Sequence, residues 1–372
     1  MIVGTVREIK VEEYRVGLTP EGAHALVDAG HRVLVGAGAG AGVGNGDDAY
    51  AAAGAQVLAD PREVWASADL MVKVKEPQPD EYGLIRDEQT LFTYLHLAAL
   101  PALTRVLLAS KVTAIGYETV QVPDGSLPLL IPMSQIAGKM ATLAGAQYLR
   151  RPGPGRGKLV SGIPGAPPAH IVVLGAGMVA ENAIEVAVAL GARVTVFDTR
   201  LDKLRLVERL WPGRTTTLMS SRLAIARAME GADILVCAVL VPGAAAPKLV
   251  TREMVRGMGA GAVIVDVSID QGGTCETSRP TTHDDPIYVD EGVVHYCVAN
   301  MPGAVPMTST AALTAATLPY VLKIAELGAR EAVQRDAALA RGVLVSEGAV
   351  THEALAASLE LPFVPLEQAL PQ

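Results

Sequence analysis

The stretch from His170 to Asp198 limits what this chain can fold into more than any other. His170-Ile-Val-Val-Leu174 leads into Gly175-Ala176-Gly177-Met178-Val179-Ala180, then a helical pattern to about Leu190, then a strand from Arg193 to Phe197 closed by Asp198. An apolar run that does not alternate belongs to a strand buried on both faces, as in a parallel sheet. A strand, a glycine turn, a helix and a second strand make a right-handed βαβ unit. The glycine spacing adds chemistry to that frame. Gly175 permits a tight turn, Gly177 lets a pyrophosphate approach the backbone, and Ala180 stands at the third position, where the helix packs on the strand. The following helix offers unpaired N–H groups and the positive end of its dipole to a phosphate. Asp198 comes about 20 positions after Gly175, as expected for an acid that accepts the ribose hydroxyls. Its charge repels a 2′-phosphate and so favours NAD over NADP, although Arg200 and Lys203 lie close enough to oppose that preference. The bland alternative, glycines that merely pack a helix on a strand, leaves the closing acid unexplained.

The rest of the chain repeats the alternation. Strands are expected at 2–6, 31–35, 70–74 and 91–95, with a helix from Pro20 to Ala29 capped by Thr19. A second unit opens between Pro128 and Gly138 and continues through strands at 233–240, 262–267 and 293–298. One long apolar helix, Ser309 to Gly328, is expected to return to the first unit. Strands alternating with helices mean parallel sheets, and 372 residues exceed one ordinary core. The fold class is therefore α/β with two doubly wound domains, and no internal repeat is visible. Gly36–Gly46 and Gly153–Lys158 resemble phosphate loops but lack the Gly-Lys-Ser/Thr ending, so they are turns or surface loops.

Net charge is −8, with no run of Lys or Arg, which argues against a nucleic-acid or anionic-membrane partner. Cys237, Cys275 and Cys297 show no metal-type spacing and are expected as small buried hydrophobes in a reducing compartment. Met1–Lys10 lacks the apolar core of a signal peptide, and no segment reaches the roughly 20 apolar residues of a membrane span. A cytoplasmic location is the expectation.

Four residues at the ends of predicted strands carry candidate chemistry. Arg15 offers a planar fork for a carboxylate, or is an ordinary exposed arginine. Lys75, just before Glu76-Pro77, can polarise a carbonyl or grip a carboxylate, or is a snorkelling lysine, as Lys73 is expected to be. His96 can exchange protons near neutral pH, though a lone histidine is as often structural. Asp270, opening Gln271-Gly272-Gly273, lies where ligands of open α/β sheets bind, or simply shapes a turn.

Several separated segments turn these alternatives into a pattern: Glu13-Tyr-Arg15-Val-Gly-Leu-Thr-Pro20, Val72-Lys-Val-Lys75-Glu-Pro77, Leu91-Phe-Thr-Tyr-Leu-His96-Leu97, Val239-Leu-Val-Pro-Gly243, Asp266-Val-Ser-Ile-Asp270-Gln-Gly-Gly273 and Val298-Ala-Asn300-Met-Pro302. In order and spacing, over nearly the whole chain, they resemble the alanine dehydrogenases, whose superfamily includes the soluble part of the proton-pumping transhydrogenase. The resemblance implies a Rossmann NAD-binding domain, residues 129–306, inserted in a substrate domain made of 1–128 and 307–372. It further implies a cleft between the domains and a homohexamer. It implies His96 and Asp270 as catalytic residues, with Arg15, Lys75, Tyr94, Met133, Asn300 and Met301 around the substrate. For NAD it implies Ser134, Gly175, Gly177, Met178, Val179, Asp198, Lys203, Ser220, Val239, Leu240, Val267, Ser268, Ile269, Asp270, Arg279 and Val298, Ala299, Asn300 and Met301. Departures from the family pattern are Ala180, Gln135 and Lys139. Lys323 and Leu327 on the late helix are unsuited to a divalent ion, so no metal is expected.

The implied reaction is reversible oxidative deamination of L-alanine to pyruvate and ammonium with NAD, the small substrates being the only partners besides copies of the chain. Three alternatives stay open: a relative acting on another small amino or keto acid such as glyoxylate, a transhydrogenase-type domain, and a non-catalytic NADH-binding protein. Retention of Arg15, Lys75, His96 and Asp270 together speaks against the transhydrogenase.

Overall fold

The computed structural model describes residues 1–239 and 246–370. The chain divides into two compact units, Met1–Met133 with Val305–Gln372, and Ser134–Ala304.

The first unit begins with six strands, β1 (Ile2–Thr5), β2 (Arg32–Gly36), β3 (Gln56–Leu58), β4 (Leu70–Val72), β5 (Thr90–Thr93) and β6 (Thr113–Gly116). They lie in the order β6-β5-β4-β1-β2-β3, all parallel. The helix Pro20–Asp28 starts as its sequence requires, with Thr19 Oγ1 accepting from Gly22 N at 3.3 Å and proline in the first turn. Strand β4 is shorter than expected. Beyond Val72 two backbone bonds to the β5 segment remain, Lys73 N to Phe92 O at 3.2 Å and Tyr94 N to Val74 O at 3.3 Å, while the Val74 amide donates to the Glu8 carboxylate at 2.6 Å. Trp65, Leu91, Leu103 and Leu107 fill the core on one side.

The second unit holds β7 (His170–Leu174), β8 (Arg193–Asp198), β9 (Thr215–Met219), β10 (Ile234–Cys237), β11 (Val263–Asp266), β12 (Ile287–Asp290) and β13 (Val293–Tyr296). Their order is β12-β13-β11-β10-β7-β8-β9, parallel except for β12. The chain winds outward from β7 to β9 and then returns to lay β10 against β7's other edge, which is the doubly wound arrangement. Alternate residues of the central strands enter opposite cores. Ile171, Val173, Val236 and Val265 face one, and Val172, Leu174, Leu235 and Ile264 face the other. That two-sided burial is why the run at 170–174 does not alternate. The helix Ile131–Tyr148 contributes to this unit from Ser134 onward and packs tightly on the helix Met178–Ala189. Thr142 Oγ1 donates to Ala183 O at 2.7 Å, and a Cβ on Gly138 would stand 2.2 Å from Val179 O, so only glycine fits.

The chain then returns to the first unit. The span Pro306–Arg335 is two helices in succession: the first begins at Pro306, slightly before the expected Ser309, and breaks at Gly328 (φ 78°, ψ 154°), where the sequence places its end. Its buried face mixes Ser309, Thr310, Thr314 and Thr317 with Leu313, Val321 and Ile324, and is less apolar than the sequence suggests. Strands β14 (Val343–Ser346) and β15 (Ala349–Val350) complete the first sheet, antiparallel on the β6 edge. Among the described residues no helix is long and apolar enough to cross a membrane.

Candidate active site

In the second unit the glycine turn sits at the carboxyl end of β7. Gly175 has φ +102°, and a Cβ there would stand 2.5 Å from Ala238 O, so both the backbone conformation and the approach of β10 demand glycine. Gly177 differs. It is extended, and nothing lies within 4 Å of where its Cβ would be. Among the described residues no packing accounts for that glycine, and a turn of this type leaves room for a phosphate against its amide groups. Met178 and Val179 open the helix behind it, and Ala180 is fully buried against the sheet. Asp198 ends β8. One of its oxygens accepts from Ala176 N and the other from Arg200 N, both at 2.7 Å, which ties the glycine turn to the next strand. Arg200 turns its guanidinium to Asp202, 2.6 Å away and exposed. Lys203 lies in the first turn of the following helix, and Ser220 follows β9, its amide donating to Asp198 O.

The remaining nucleotide candidates sit beyond the carboxyl ends of β10, β11 and β13. Val239 exchanges hydrogen bonds with Ser268, whose Oγ receives Val239 N at 3.1 Å and donates to Val239 O at 2.7 Å. Leu240 lies outside the described residues. Val267, Ser268, Ile269 and Asp270 form one 3₁₀ turn capped by Asp266, closed by Gly272 at φ 91°. Asp270 is exposed there. Val298 and Met301 are buried, flanking Ala299 and Asn300, and Asn300 has φ 60°. Arg279 is exposed, with its guanidinium 4.0 Å over the Tyr288 ring. All of these belong to the sheet edge where open α/β sheets bind ligands. Ser134, on the helix Ile131–Tyr148, is not at a strand end.

In the first unit Arg15 is no surface residue. It is 2% exposed, with Nε and Nη2 donating to the two oxygens of Glu13 at 2.6 and 2.5 Å and Nη1 to Met133 Sδ at 3.0 Å. Lys75 is also buried. Burial, then the charges of Arg15 and Lys10, push its ammonium below the usual lysine range against the pull of Glu76 and Glu13. Tyr94 buries its ring, donates its hydroxyl to Leu129 O at 2.6 Å, and lies parallel to the His96 ring with centroids 5.9 Å apart. His96 is left-handed (φ 47°), its side chain nearly half exposed. Glu118 holds that strained backbone by accepting from His96 N at 2.7 Å and from Leu95 N at 3.2 Å, with its carboxylate 3.9 Å from His96 Nδ1. Arg15, Lys75, Tyr94, His96 and Met133 thus belong to one unit, while Asp270, Asn300 and Met301 belong to the other.

One expectation is corrected, and another, the burial of the three cysteines, holds with an addition. Lys73 does not snorkel: it is 1% exposed and paired with Glu8 and Glu81 at 3.0 and 2.9 Å, because it leaves β4 inside the unit. The cysteines, scattered in sequence, converge. Cys237 and Cys275 are buried with sulfurs 3.6 Å apart, and Asp266 offers an oxygen to the same cluster. Asp266 already accepts from Ser268 N, Thr274 N, Cys275 N and Ser278 Oγ. It is a hydrogen-bond hub for the turn that carries Asp270.

Comparison with known proteins shows the family. A family described as "Alanine dehydrogenase/PNT, N-terminal domain" matches residues 4–137, and its partner, "Alanine dehydrogenase/PNT, C-terminal domain", matches 141–353. An alanine dehydrogenase of Methanococcus maripaludis is 51% identical over 371 residues, covering all of both chains. The chain belongs to the alanine dehydrogenase/PNT family. An alanine dehydrogenase of Bacillus subtilis is 52% identical, covering all of this chain and 98% of that one. A solved L-alanine dehydrogenase superposes with a TM-score of 0.94 at 48% identity, covering 97% of this chain and 99% of that one.

Sequence reasoning missed Glu13 and Glu118, the acids that orient Arg15 and His96. Glu13 stood in plain view two residues before Arg15, whereas Glu118, 22 positions from His96, carries no local signal. Because Glu118 fixes a backbone conformation that histidine rarely adopts, Glu118→Ala should lower turnover with alanine by about tenfold or more and leave NADH binding intact. Steady-state kinetics beside a fluorescence titration with NADH measures both, and unaltered turnover would contradict the role given to Glu118.

Proposed function

We propose that the chain is an NAD-dependent L-alanine dehydrogenase, catalysing L-alanine + NAD⁺ + H₂O ⇌ pyruvate + NH₄⁺ + NADH + H⁺. The observation that carries this reading is 51% identity to an alanine dehydrogenase along the full length of both chains. Gly177, which no packing among the described residues requires to be glycine, and Asp198 suit a dinucleotide. NAD, when bound, accepts the hydride from the substrate Cα.

The chain's own residues do the rest. Arg15, oriented by Glu13, presents a guanidinium to the substrate carboxylate. Lys75, a buried cation, holds the oxygen of the keto acid. Tyr94 and Met133 in the first unit, and Asn300 and Met301 in the second, are the residues assigned to the substrate's small side chain. His96 and Asp270 move the protons: the base takes one from the ammonium group before hydride loss, and acid and base then serve the attack of water on the imine and the release of ammonia. The residues of Ser134–Ala304 take the cofactor and the first unit takes the substrate. The enzyme works in the cytoplasm as a homo-oligomer, a hexamer by likeness to its family.

A panel of amino acids with NAD, and of keto acids with ammonium and NADH, tests the assignment by absorbance of NADH. Alanine and pyruvate should be the fastest pair. A tenfold higher kcat/KM for another substrate, glyoxylate included, is a difference of about 1.4 kcal/mol and would replace the assignment.

Asp270→Asn separates catalysis from turn-shaping, since asparagine suits the same turn but cannot titrate. Turnover should fall by roughly 100-fold or more while NADH binding survives. Near-normal turnover would remove Asp270 from the mechanism.

A further inference from the structure

Arg279 is an exposed cation of the second unit, and among the described residues no carboxylate lies within 4.0 Å of its guanidinium. Its backbone, by contrast, is closely held. Thr277 Oγ1 lies 2.7 Å from His295 Nε2, and Ser278 Oγ donates to Asp266 at 2.6 Å. The Tyr288 hydroxyl spans the segment: it donates to Thr277 O at 2.7 Å and accepts from Arg279 N at 2.9 Å. Beyond Arg279, Thr281 N donates to Cys297 O at 3.0 Å and Ala299 N to Thr281 O at 3.3 Å. Through Asp266 the segment joins the turn Val267–Gln271, and through Thr281 it joins Val298 and Ala299. It is thus tied to nucleotide candidates at two strand ends.

The guanidinium itself rests on one side chain. It lies 4.0 Å over the Tyr288 ring, and that ring stacks on the buried His295 ring, with centroids 4.9 Å apart and planes 15° from parallel. Tyr288 and His295 are partners in the register of β12 and β13, so the strand pair sets where the tyrosine ring lies. A cation–π contact as exposed as this adds little to stability. It does restrict a long side chain that otherwise rotates freely, and a guanidinium already ordered loses less freedom when an anion arrives. We propose that Tyr288 is a positioning residue for the cofactor: its hydroxyl fixes the Arg279 backbone and its ring holds the guanidinium ready for the anionic dinucleotide. Tyr288 touches no reacting atom and acts through Arg279. The inference rests on the second unit binding NAD as proposed above, with Arg279 among its contacts.

The test is NADH affinity, measured by fluorescence titration. The variants are Arg279→Ala, Tyr288→Phe, Tyr288→Leu, and each tyrosine change combined with Arg279→Ala. Arg279→Ala should raise Kd by about tenfold or more. Tyr288→Phe keeps the ring and loses the hydroxyl, and should raise Kd about threefold; Tyr288→Leu loses both and should raise it about fivefold or more. In the Arg279→Ala background neither tyrosine change should weaken binding further, since the group it positions is gone. A tyrosine that merely shapes the hairpin would cost the same in both backgrounds, and that result overturns the inference. An unchanged Kd in Tyr288→Leu does so too. If Tyr288→Leu does not fold, the same comparison with Tyr288→Phe decides. Normal NADH binding by Arg279→Ala removes both residues from the cofactor site and overturns the inference, while turnover of alanine by the unmodified protein still upholds the proposed function. If the unmodified protein binds no NADH, the proposed function fails and the inference with it.

Discussion

Parallel strands buried on both faces can keep a polar side chain along their length only where it finds a partner, as His170 does with Thr195 and His295 with Thr277, and this constraint orders the second unit. Between Ile171 and Leu174, or between Ile234 and Cys237, every side chain enters a core. Chemistry is possible only where the strands stop. Gly175, Asp198, Val239, Ser268 and Asp270 all fall at or past those stops, and the same backbone approach that forces glycine at 175 brings the end of β10 against the turn. A helix N-terminus then faces that edge with its amides unpaired. The cradle for a phosphate is a by-product of how a doubly wound sheet must end.

The first unit obeys a different constraint. It buries Arg15, Lys73 and Lys75 together, and buried cations are tolerated only when paired or hydrogen-bonded. Pairing is distributed unevenly. Glu13 serves Arg15, two acids serve Lys73, and among the described residues Lys75 receives backbone order but no carboxylate within ion-pair distance. Burial pushes Glu8 up and Lys75 down from their ordinary ranges, whereas in Lys73 the same burial is outweighed by Glu8 and Glu81. Uneven pairing leaves an interior whose unmet electrostatic demand is an anion or a polarisable oxygen.

The nucleotide half was legible because its signals are local. A strand, two glycines, a helix and an acid lie within one short stretch, and each has a backbone reason. Strands β9 and β12 were not anticipated, since Thr215–Met219 and Ile287–Asp290 sit at sheet edges and lack the unbroken apolar run of the centre. The substrate half was legible only as a resemblance. Arg15, Lys75 and His96 alone are ambiguous; Arg15 is oriented by its neighbour Glu13 and also meets Met133, and the partners of the other two are distant in sequence: Glu8 for the Lys75 amide and Glu118 for His96. Lys73 was misread for the same reason, because its two acids come from separate segments. The approach of Cys237 to Cys275 likewise follows from the register that sets Cys237 beside Asp266 and from the turn that returns Cys275 N to the Asp266 carboxylate, neither of which spacing reveals.

The central claim is that this chain moves the Cα hydrogen of L-alanine, as hydride, to NAD. L-Alanine deuterated at Cα tests it directly. The account predicts that deuterium appears on the nicotinamide of the NADH formed, seen by proton NMR, in step with pyruvate and with a slowed single-turnover rate. NADH formed without deuterium, or pyruvate released without NADH, would contradict it.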